Sequence, residues 1–222
     1  MSHMKRLVAP RTWPIQRKKY TFVSNPLPSG AKFKYGVTLS FILKELIGVC
    51  KTNKEVKLLI TDKKIKVNNS TVKNARQLVS LFQLLDINGK KYRIELKSSG
   101  KLNVVEAENE FIINKVMNKT ILNKGKIQVN MFDGRNFILD EAKDIKVGDS
   151  IAFQEKSYMI LPLQKNAIVV LFDGKHRGMK GKIENIEGNS VVINSDNHMI
   201  KTLKKYCFVV SKANEKPVIK LE

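Results

Sequence analysis

Residues 167–186 read AIVVLFDGKHRGMKGKIENI, and this stretch carries the most specific local signal in the chain. Its first six residues form an apolar run typical of a β-strand, and residues 182–186 form a second strand pattern. Between them, Gly174, Gly178 and Gly181 permit tight backbone turns with positive φ angles. The stretch therefore predicts two strands joined by a glycine-rich loop.

The loop between these two strands is rich in hydrogen-bond donors. Its cationic residues are Lys175, Arg177 and Lys180, with His176 among them. Backbone N–H groups freed by glycine can approach phosphates closely, and the cations add favourable charge. The loop matches neither the nucleotide P-loop nor the dinucleotide-binding pattern. An ordinary glycine hairpin with solvated lysines is the alternative interpretation.

The chain as a whole is strongly basic. Its 222 residues include 41 Lys and Arg against 20 Asp and Glu, a formal net charge of +21. This charge divides as +8 in residues 1–36, +5 in 37–87, +3 in 88–163 and +5 in 164–222. Such an imbalance excludes an ordinary near-neutral enzyme surface and indicates a polyanionic partner. The hydrophobic content of 42% is enough for packed cores.

The first 36 residues are the most basic part, with eight Lys or Arg, no acidic residue and four of the six prolines. The prolines predict an extended arm without helical or strand periodicity. Because cations alternate with rings, such an arm could neutralise phosphates while Trp13 or Tyr20 packs on bases or sugars. A disordered, solvated tail is the alternative. The candidate RNA-binding residues here are Lys5, Arg6, Arg11, Trp13, Arg17, Lys18 and Lys19.

Residues 37–87 predict a small helical module. Apolar residues at helical spacing over 37–47 predict a first helix that Gly48 ends. Thr52 and Glu55 form a capping-box pattern at the start of a second helix. The alternating residues 63–67 then predict a strand that runs into an Asn68–Asn69 turn.

Residues 88–163 predict strands rather than helices. Turn signals recur at fairly regular spacing, as at Asn88–Gly89, Ser99–Gly100, Lys124–Gly125 and Asp133–Gly134. Such spacing predicts a small antiparallel barrel.

Cysteine and histidine usage gives no sign of a metal or cofactor site. Cys50 and Cys207 lie 157 positions apart and fit two buried apolar side chains in a reducing compartment. His3, His176 and His198 are scattered along the chain. The chain has no run of 18 apolar residues and no secretory signal. The proline-broken arm also lacks the amphipathic helix that membrane-surface binding generally uses.

Four stretches, in order along the chain, resemble the S4e family of small-subunit ribosomal proteins of archaea and eukaryotes, with the archaeal version favoured. Residues 4–15, MKRLVAPRTWPI, resemble the opening of those proteins. Residues 37–87 resemble the helix-turn-helix RNA-binding domain that ribosomal protein S4 shares with some pseudouridine synthases. Residues 124–136 resemble the family's central domain, and residues 168–186 resemble a KOW motif, which folds as an SH3-like barrel.

The resemblance implies a multi-domain α+β fold. Residues 1–36 would be a basic extended arm, 37–87 a helical S4-like RNA-binding domain, and 88–163 a central β-rich, barrel-like domain. Residues 164–222 would form an SH3-like KOW barrel and the C-terminal tail. RNA contacts would come from Lys54, Lys57, Lys63 and Lys64 in the helical domain, and from Lys175, Arg177 and Lys180 in the KOW loop.

The function that the resemblance implies is structural. The chain would bind and staple 16S-type rRNA through phosphate and shape contacts, supporting translation in the cytoplasmic small ribosomal subunit. Its partners would be small-subunit rRNA and neighbouring ribosomal proteins, with no membrane, no cofactor and no homo-oligomer. It would not be an enzyme.

Two departures from the family's pattern bear on the helical module. The family usually has glycine where Lys63 and Asn69 stand, and Lys63 is costly if its backbone must be left-handed. The family's Phe-Pro-Val-Gly stretch is replaced around residues 77–80.

Two other functions stay open at this point. One is an RNA-modifying enzyme that carries an S4-like module, with Asp133, Asp140, Asp144 and Asp149 as candidate carboxylates, although turn and cap chemistry explains these residues without catalysis. The other is a transiently bound translation or transcription factor that uses the KOW motif.

Overall fold

The computed structural model describes residues 3–123, 126–139, 144–154, 157–195 and 198–219. The chain divides into two compact units: unit 1 has residues 1–96 and 101–110, and unit 2 has residues 97–100 and 111–222. Across the described ranges strands dominate, and the helical segments are few and short. The chain is thus mostly β. Lys124–Gly125 and Asp140, which the sequence singled out, lie outside the described residues.

Unit 1 is built from antiparallel sheets and short helical segments. One strand pair joins β1 (His3–Lys5) to β2 (Phe22–Ser24), and another joins β3 (Gly36–Thr38) to β6 (Leu78–Ser80). A five-stranded sheet has the order β5-β4-β7-β8-β9, with β4 Ile65–Val67, β5 Ser70–Thr71, β7 Leu84–Ile87, β8 Lys90–Leu96 and β9 Leu102–Glu106. The helical segments are α1 (Leu39–Phe41), the π-helical turn Ile42–Leu46 that continues it, α2 (Asn53–Thr61), and 3-10 turns at Arg6–Val8 and Phe33–Tyr35.

The first predicted helix begins two residues later than the apolar spacing indicated. Val37 lies in β3, opposite Val79 of β6, so strand pairing takes the first residues of the pattern. The helical turns that follow end at Leu46, and Gly48 has a φ of +80°. The predicted glycine stop is confirmed, because only glycine adopts this φ without strain.

The start of α2 confirms the predicted capping box. The hydroxyl oxygen of Thr52 accepts a hydrogen bond from the Glu55 N–H at 3.3 Å, and the Glu55 carboxylate accepts one from the Lys51 N–H at 2.8 Å. The first bond satisfies a backbone donor that the first helical turn leaves without a partner, and the second satisfies the N–H of the residue before the cap.

The end of α2 explains the departure at Lys63. The Lys63 N–H donates to the Ile60 carbonyl, and the Lys64 N–H donates to the Leu59 carbonyl. This pattern is a Schellman motif, which requires a left-handed residue after the helix. Lys63 occupies that position with a φ of 55°, so the helix end tolerates backbone strain that glycine would avoid.

Two predicted turns join neighbouring strands of the five-stranded sheet. Asn68 and Asn69 have φ angles of 49° and 63° and close the β4–β5 hairpin. Asn88 and Gly89, at 53° and 83°, close the β7–β8 hairpin. Both loops have the two positive φ angles of a type I′ turn. The second hairpin spans residue 88, so the predicted boundary at that residue falls within one sheet of unit 1.

The structure corrects the expectation of an extended arm without strands. β1 and β2 pair with each other, and the Trp13 side chain is only 1% exposed. The Trp13 Nε1–H donates to the Gly36 carbonyl at 2.8 Å, and its ring packs against Phe33 and Phe41. The prolines rule out regular helix in this segment. They do not prevent it from packing on the rest of unit 1.

Unit 2 contains two five-stranded antiparallel sheets. The first has the order β12-β11-β10-β13-β14, with β10 Ile112–Ile121, β11 Ile127–Met131, β12 Asn136–Leu139, β13 Ser150–Gln154 and β14 Ser157–Leu161. The second has the order β18-β17-β16-β15-β19, with β15 Ile168–Leu171, β16 Lys180–Glu187, β17 Ser190–Ser195, β18 His198–Leu203 and β19 Cys207–Val209. The long strand β10 pairs with β13 along its first half and with β11 along its second.

The glycine-rich loop joins β15 to β16, as the sequence predicted. Gly178 has a φ of +93°, and a Cβ atom there would lie 2.0 Å from the Lys97 carbonyl oxygen. A Cβ atom on Gly181 would lie 2.3 Å from the Asn194 carbonyl oxygen. Both positions need glycine because another backbone segment of unit 2 approaches closely.

Replacing Trp13 with alanine tests whether the N-terminal segment is part of the core of unit 1. We expect the Trp13→Ala variant to lose about 3–5 kcal/mol of unfolding free energy, because a large buried ring and a buried hydrogen bond are removed. The Tyr20→Ala variant is the matched control, since Tyr20 is 58% exposed, and its change should stay within about 0.5 kcal/mol. Urea unfolding followed by circular dichroism measures both. Equal losses would contradict the packing described for Trp13.

Replacing Lys63 with glycine tests the strain at the end of α2. We expect the Lys63→Gly variant to gain about 0.5–1 kcal/mol, because glycine adopts the left-handed conformation without strain. The neighbouring Lys64→Gly variant should lose stability, since Lys64 has no positive φ and glycine only adds freedom to the unfolded chain. Thermal unfolding of both variants measures the difference, and a loss in Lys63→Gly would refute the strain.

Candidate nucleic-acid interface

Many of the predicted RNA-binding lysines of unit 1 lie on its surface. Lys5, Arg11, Lys18 and Lys19 are exposed in the N-terminal segment. These four residues lie within a fifteen-residue segment that Trp13 anchors to the rest of unit 1. Their charges are therefore held on a folded surface, where they can meet a polyanion without ordering a tail.

Three other candidates in the same segment have internal roles instead. Trp13 is buried, so its ring is not available to stack on a base. Arg6 is 3% exposed, and its guanidinium pairs with both carboxylate oxygens of Glu45. Arg17 donates to the carbonyls of Leu7 and Pro10 at 2.9 and 3.1 Å. The assignment of Trp13 and Arg6 as RNA contacts is wrong, because burial and protein hydrogen bonds occupy both side chains.

The helix α2 and its C-terminal turn present the predicted lysines of the helical module. Lys54, Lys57 and Lys63 are exposed, and Lys64 is exposed with an ion pair to Asp62 at 3.1 Å. The acidic residue of this helix, Glu55, is engaged at the cap. Hydrogen bonds from the Lys51 N–H and the Thr52 hydroxyl lower the pKa of the Glu55 carboxyl. The helix thus presents exposed lysines, while its one carboxylate, Glu55, is engaged in hydrogen bonds at the cap.

The three candidates in the β15–β16 loop of unit 2 differ in their surroundings. Lys175 is exposed at the tip, whereas Arg177 and Lys180 are partly buried. The Arg177 guanidinium packs on the turn at Gly100, where a Cβ atom would lie 2.8 Å from the Arg177 Nε. Arg177 therefore supports the loop, and Lys175 is the charge that the loop presents to solvent.

A cleft in unit 1 brings together cations that the sequence did not single out. It measures about 470 Å³ and is lined by residues of β1, β2, α1 and α2, with Lys44 and Arg76 beside the predicted Lys57. We call it the unit 1 cleft. Its lining residues come from segments near residues 3, 22, 44, 57 and 76. No local spacing joins these segments, so the cleft follows only from the tertiary fold.

One lysine of unit 2, Lys115, is buried. Lys115 is 2% exposed, and its ammonium donates to the carbonyls of Lys204, Lys205 and Cys207. It also lies 5.2 Å from the centre of the Phe172 ring. Burial lowers the pKa of Lys115 to about 8. The Lys115 ammonium therefore holds the 3-10 turn Lys204–Tyr206, which precedes β19, and is not available to RNA.

Two candidate carboxylates of the enzyme alternative, Asp133 and Asp149, have turn and loop contacts. Asp133 is 7% exposed and accepts hydrogen bonds from the N–H and Nε–H of Arg135 at 3.0 and 2.6 Å. Asp149 accepts bonds from the N–H groups of Lys146 and Leu163. Turn contacts therefore engage Asp133, and Asp149 joins its own turn to the backbone of Leu163.

Two features are absent from the described ranges. These ranges contain no group of three or more His, Cys, Asp or Glu side chains placed to hold a metal ion. None of the helices in the same part of the chain has the length and apolar character that a membrane crossing needs.

Comparison with known proteins gives the class and then the family. The profile described as "Ribosomal family S4e" matches residues 88–160, and the "RS4NT (NUC023) domain" profile matches residues 2–29. The chain is 31% identical to "Small ribosomal subunit protein eS4" of Methanocella arvoryzae, over 95% of this chain and 94% of the relative. It is 32% identical to the protein of that name from Archaeoglobus fulgidus, over 99% of this chain and 97% of the relative.

A solved structure agrees with the sequence matches. The crystal structure of the 30S ribosomal protein S4e from Thermoplasma acidophilum superposes with a TM-score of 0.69 at 26% identity. The superposition covers 80% of this chain and 96% of that one. A basic, mostly β chain with these similarities is a ribosomal protein. More narrowly, it belongs to the S4e family, in its archaeal type. The family is structural and not enzymatic, so the enzyme alternative falls.

The buried Lys115 predicts how stability depends on pH. Its pKa is about 8 in the folded chain against 10.5 ordinarily, so above pH 8 the unfolded chain binds more protons than the folded one. Stability therefore rises with pH from this group, by about 1 kcal/mol between pH 8 and 9. The Lys115→Met variant should lack that rise.

Urea unfolding of both proteins at pH 7, 8 and 9 checks this expectation. The comparison stops at pH 9, because burial raises the pKa of Cys207 to about 11 and its titration opposes that of Lys115 at higher pH. Parallel pH profiles for the two proteins would contradict the role given to Lys115.

Proposed function

We propose that this chain is a structural constituent of the small ribosomal subunit that binds 16S-type rRNA mainly through phosphate contacts. Membership of the S4e family carries the proposal. The surplus of exposed lysines supports it, since neutralising phosphates is the main source of sequence-independent affinity for nucleic acid. The partners are small-subunit rRNA and neighbouring ribosomal proteins, in the cytoplasmic ribosome.

We further propose the finer division of the fold that the family resemblance implies. Residues 37–87 act as an S4-like RNA-binding domain, with the helix pair and the Asn68–Asn69 hairpin as supporting features. Residues 164–222 act as an SH3-like KOW domain, and the five-stranded antiparallel sheet with its glycine-rich loop supports this reading. Residues 88–163 contribute the central β-rich part.

The residues that carry rRNA contact in this proposal are the exposed cations. They are Lys5, Arg11, Lys18, Lys19, Lys54, Lys57, Lys63, Lys64 and Lys175. Almost all are lysines, which act as point charges without the bidentate fork of arginine. The contacts should therefore position the chain on RNA by charge and shape, with little reading of base sequence.

A charge-removal experiment tests these residues. The purified chain should bind a 16S-type rRNA transcript with an affinity that falls steeply with salt. In the Lys18→Gln/Lys19→Gln double variant, the slope of log K against log salt concentration should shrink by about 1 to 2, because each lost phosphate contact removes about 0.7–0.9. Filter binding across a salt series measures the slope.

A second double variant distinguishes the loss of these particular contacts from the loss of net charge. Lys165 and Lys216 are exposed lysines of unit 2 outside the proposed set. The Lys165→Gln/Lys216→Gln variant removes the same charge and should keep the slope of the unchanged chain. Equal reduction in both variants would show that net charge alone matters and would refute the residue assignment.

A further inference from the structure

The unit 1 cleft has the features of a pocket for a single nucleotide. We infer that it receives one unpaired nucleotide of an RNA chain, with the base on Phe22 and the phosphate at Lys57 and Lys44. The inference rests on the proposed function and adds a selective contact to it. RNA proteins commonly take bases that are splayed out of the stack in this way.

An aromatic ring is presented at the cleft. Phe22 lies in β2 and is 50% exposed, although it is a large apolar side chain. The His3 ring contacts it edge to face, with ring centres 4.7 Å apart. This contact holds the Phe22 ring in place from one side. A half-exposed ring fixed beside cations is the arrangement on which bases stack in single-strand binding.

The charge of the cleft selects an anion. Four cationic side chains line it, and Glu45 is its one carboxylate among the described residues. Glu45 is already bound by the Arg6 guanidinium through both oxygens. The remaining cations are Lys44, Lys57 and Arg76. The lining therefore carries more positive than negative charge, and its one carboxylate is already paired with Arg6.

Two of the cleft's cations, Lys44 and Arg76, are held by protein groups. The Lys44 ammonium donates to the Oδ1 of Asn53 at 2.8 Å, and the Arg76 Nε–H donates to the Asn25 carbonyl at 2.9 Å. Fixed donors lose less freedom on binding than mobile ones, so each contact contributes more to affinity.

Two carboxamide groups add donors that suit a base. The Asn53 Oδ1 accepts from Lys44 and Ser40, and the Asn74 Oδ1 accepts from the Arg76 N–H. With the oxygens engaged, the NH₂ groups of Asn53 and Asn74 remain to meet a ligand. Base carbonyls and ring nitrogens are acceptors for such groups.

The size of the cleft limits what can enter. About 470 Å³ lies within the range of pockets for small ligands. A base within an RNA duplex is stacked and paired, so its face cannot reach Phe22. Only a nucleotide that has left the helix can place a ring on Phe22 and a phosphate among the cations.

Two RNA hairpins of the same stem test the inference, one fully paired and one with a single unpaired adenosine. We expect the unchanged chain to bind the second about tenfold more tightly, which corresponds to one stacked base. The Phe22→Ala and Lys57→Gln variants should each lose most of that preference. Fluorescence anisotropy measures each dissociation constant, and thermal unfolding confirms that both variants are folded.

Two matched controls lie just outside the cleft. Tyr20 is an exposed ring of the same segment, and Lys73 is an exposed lysine next to Asn74, which lines the cleft. Neither Tyr20 nor Lys73 lines the cleft or belongs to the proposed rRNA contacts, so Tyr20→Ala and Lys73→Gln should keep the tenfold preference. The Phe22→Leu variant keeps the apolar volume without the ring, and it should lose the preference as Phe22→Ala does.

The outcomes separate this inference from the proposed function. Equal, tight binding of both hairpins would overturn the inference and leave RNA binding intact. Absence of binding to either hairpin would overturn both. Competition by micromolar adenosine monophosphate would assign the cleft to a free nucleotide and would also overturn the inference. Persistence of the preference in both cleft variants would place the unpaired base elsewhere.

Discussion

The anchoring of Trp13 is the contact on which the first unit depends. Its indole N–H satisfies the Gly36 carbonyl, and its ring fills the space between Phe33 and Phe41. Gly36 begins β3, which leads directly into the helical turns. One side chain thus joins the N-terminal segment to the helical module. The hydrogen bond also lets a buried indole satisfy its donor, which a ring of this size otherwise cannot do in a core.

Arginine and lysine side chains have different roles in this chain. Arg6, Arg17, Arg76 and Arg93 donate to carbonyls within unit 1, because the planar guanidinium can donate to several acceptors from one position. Lysines instead carry most of the exposed charge, since a flexible stem keeps the ammonium in water. The net charge of +21 therefore comes mainly from two groups of residues: arginines bonded to the protein's own carbonyls and lysines exposed to solvent. The exposed lysines, together with Arg11, form most of the surface offered to a polyanion, whereas Lys115 is a lysine that is buried.

The features that the sequence predicted correctly are set by neighbouring residues. The Thr52 cap, the Gly48 stop and the Asn68–Asn69 turn each depend on a backbone conformation that a few adjacent side chains determine. The glycine-rich loop was predicted from the spacing of its glycines, because these residues also determine the local backbone conformation. By contrast, the burial of Trp13 and Arg6 depends on partners 23 and 39 residues away. The proline spacing predicted an irregular backbone. Because an irregular segment can still pack against the rest of its unit, the expectation of an extended arm did not follow from the prolines.

The folding of the N-terminal segment changes how its charge acts on RNA. A disordered arm would lose conformational freedom on binding, at a cost of about 2–5 kcal/mol for coupled folding. Here Trp13, Arg6 and Arg17 already fix the segment, so its exposed lysines meet phosphates from set positions. The same anchoring sets β2 against β1 and places Phe22 at the unit 1 cleft. A pocket of this kind cannot exist on a disordered arm, because its cations and its ring come from segments that only the fold brings together. The internal contacts of the segment are therefore what make a selective RNA contact possible in a chain whose other contacts depend on charge.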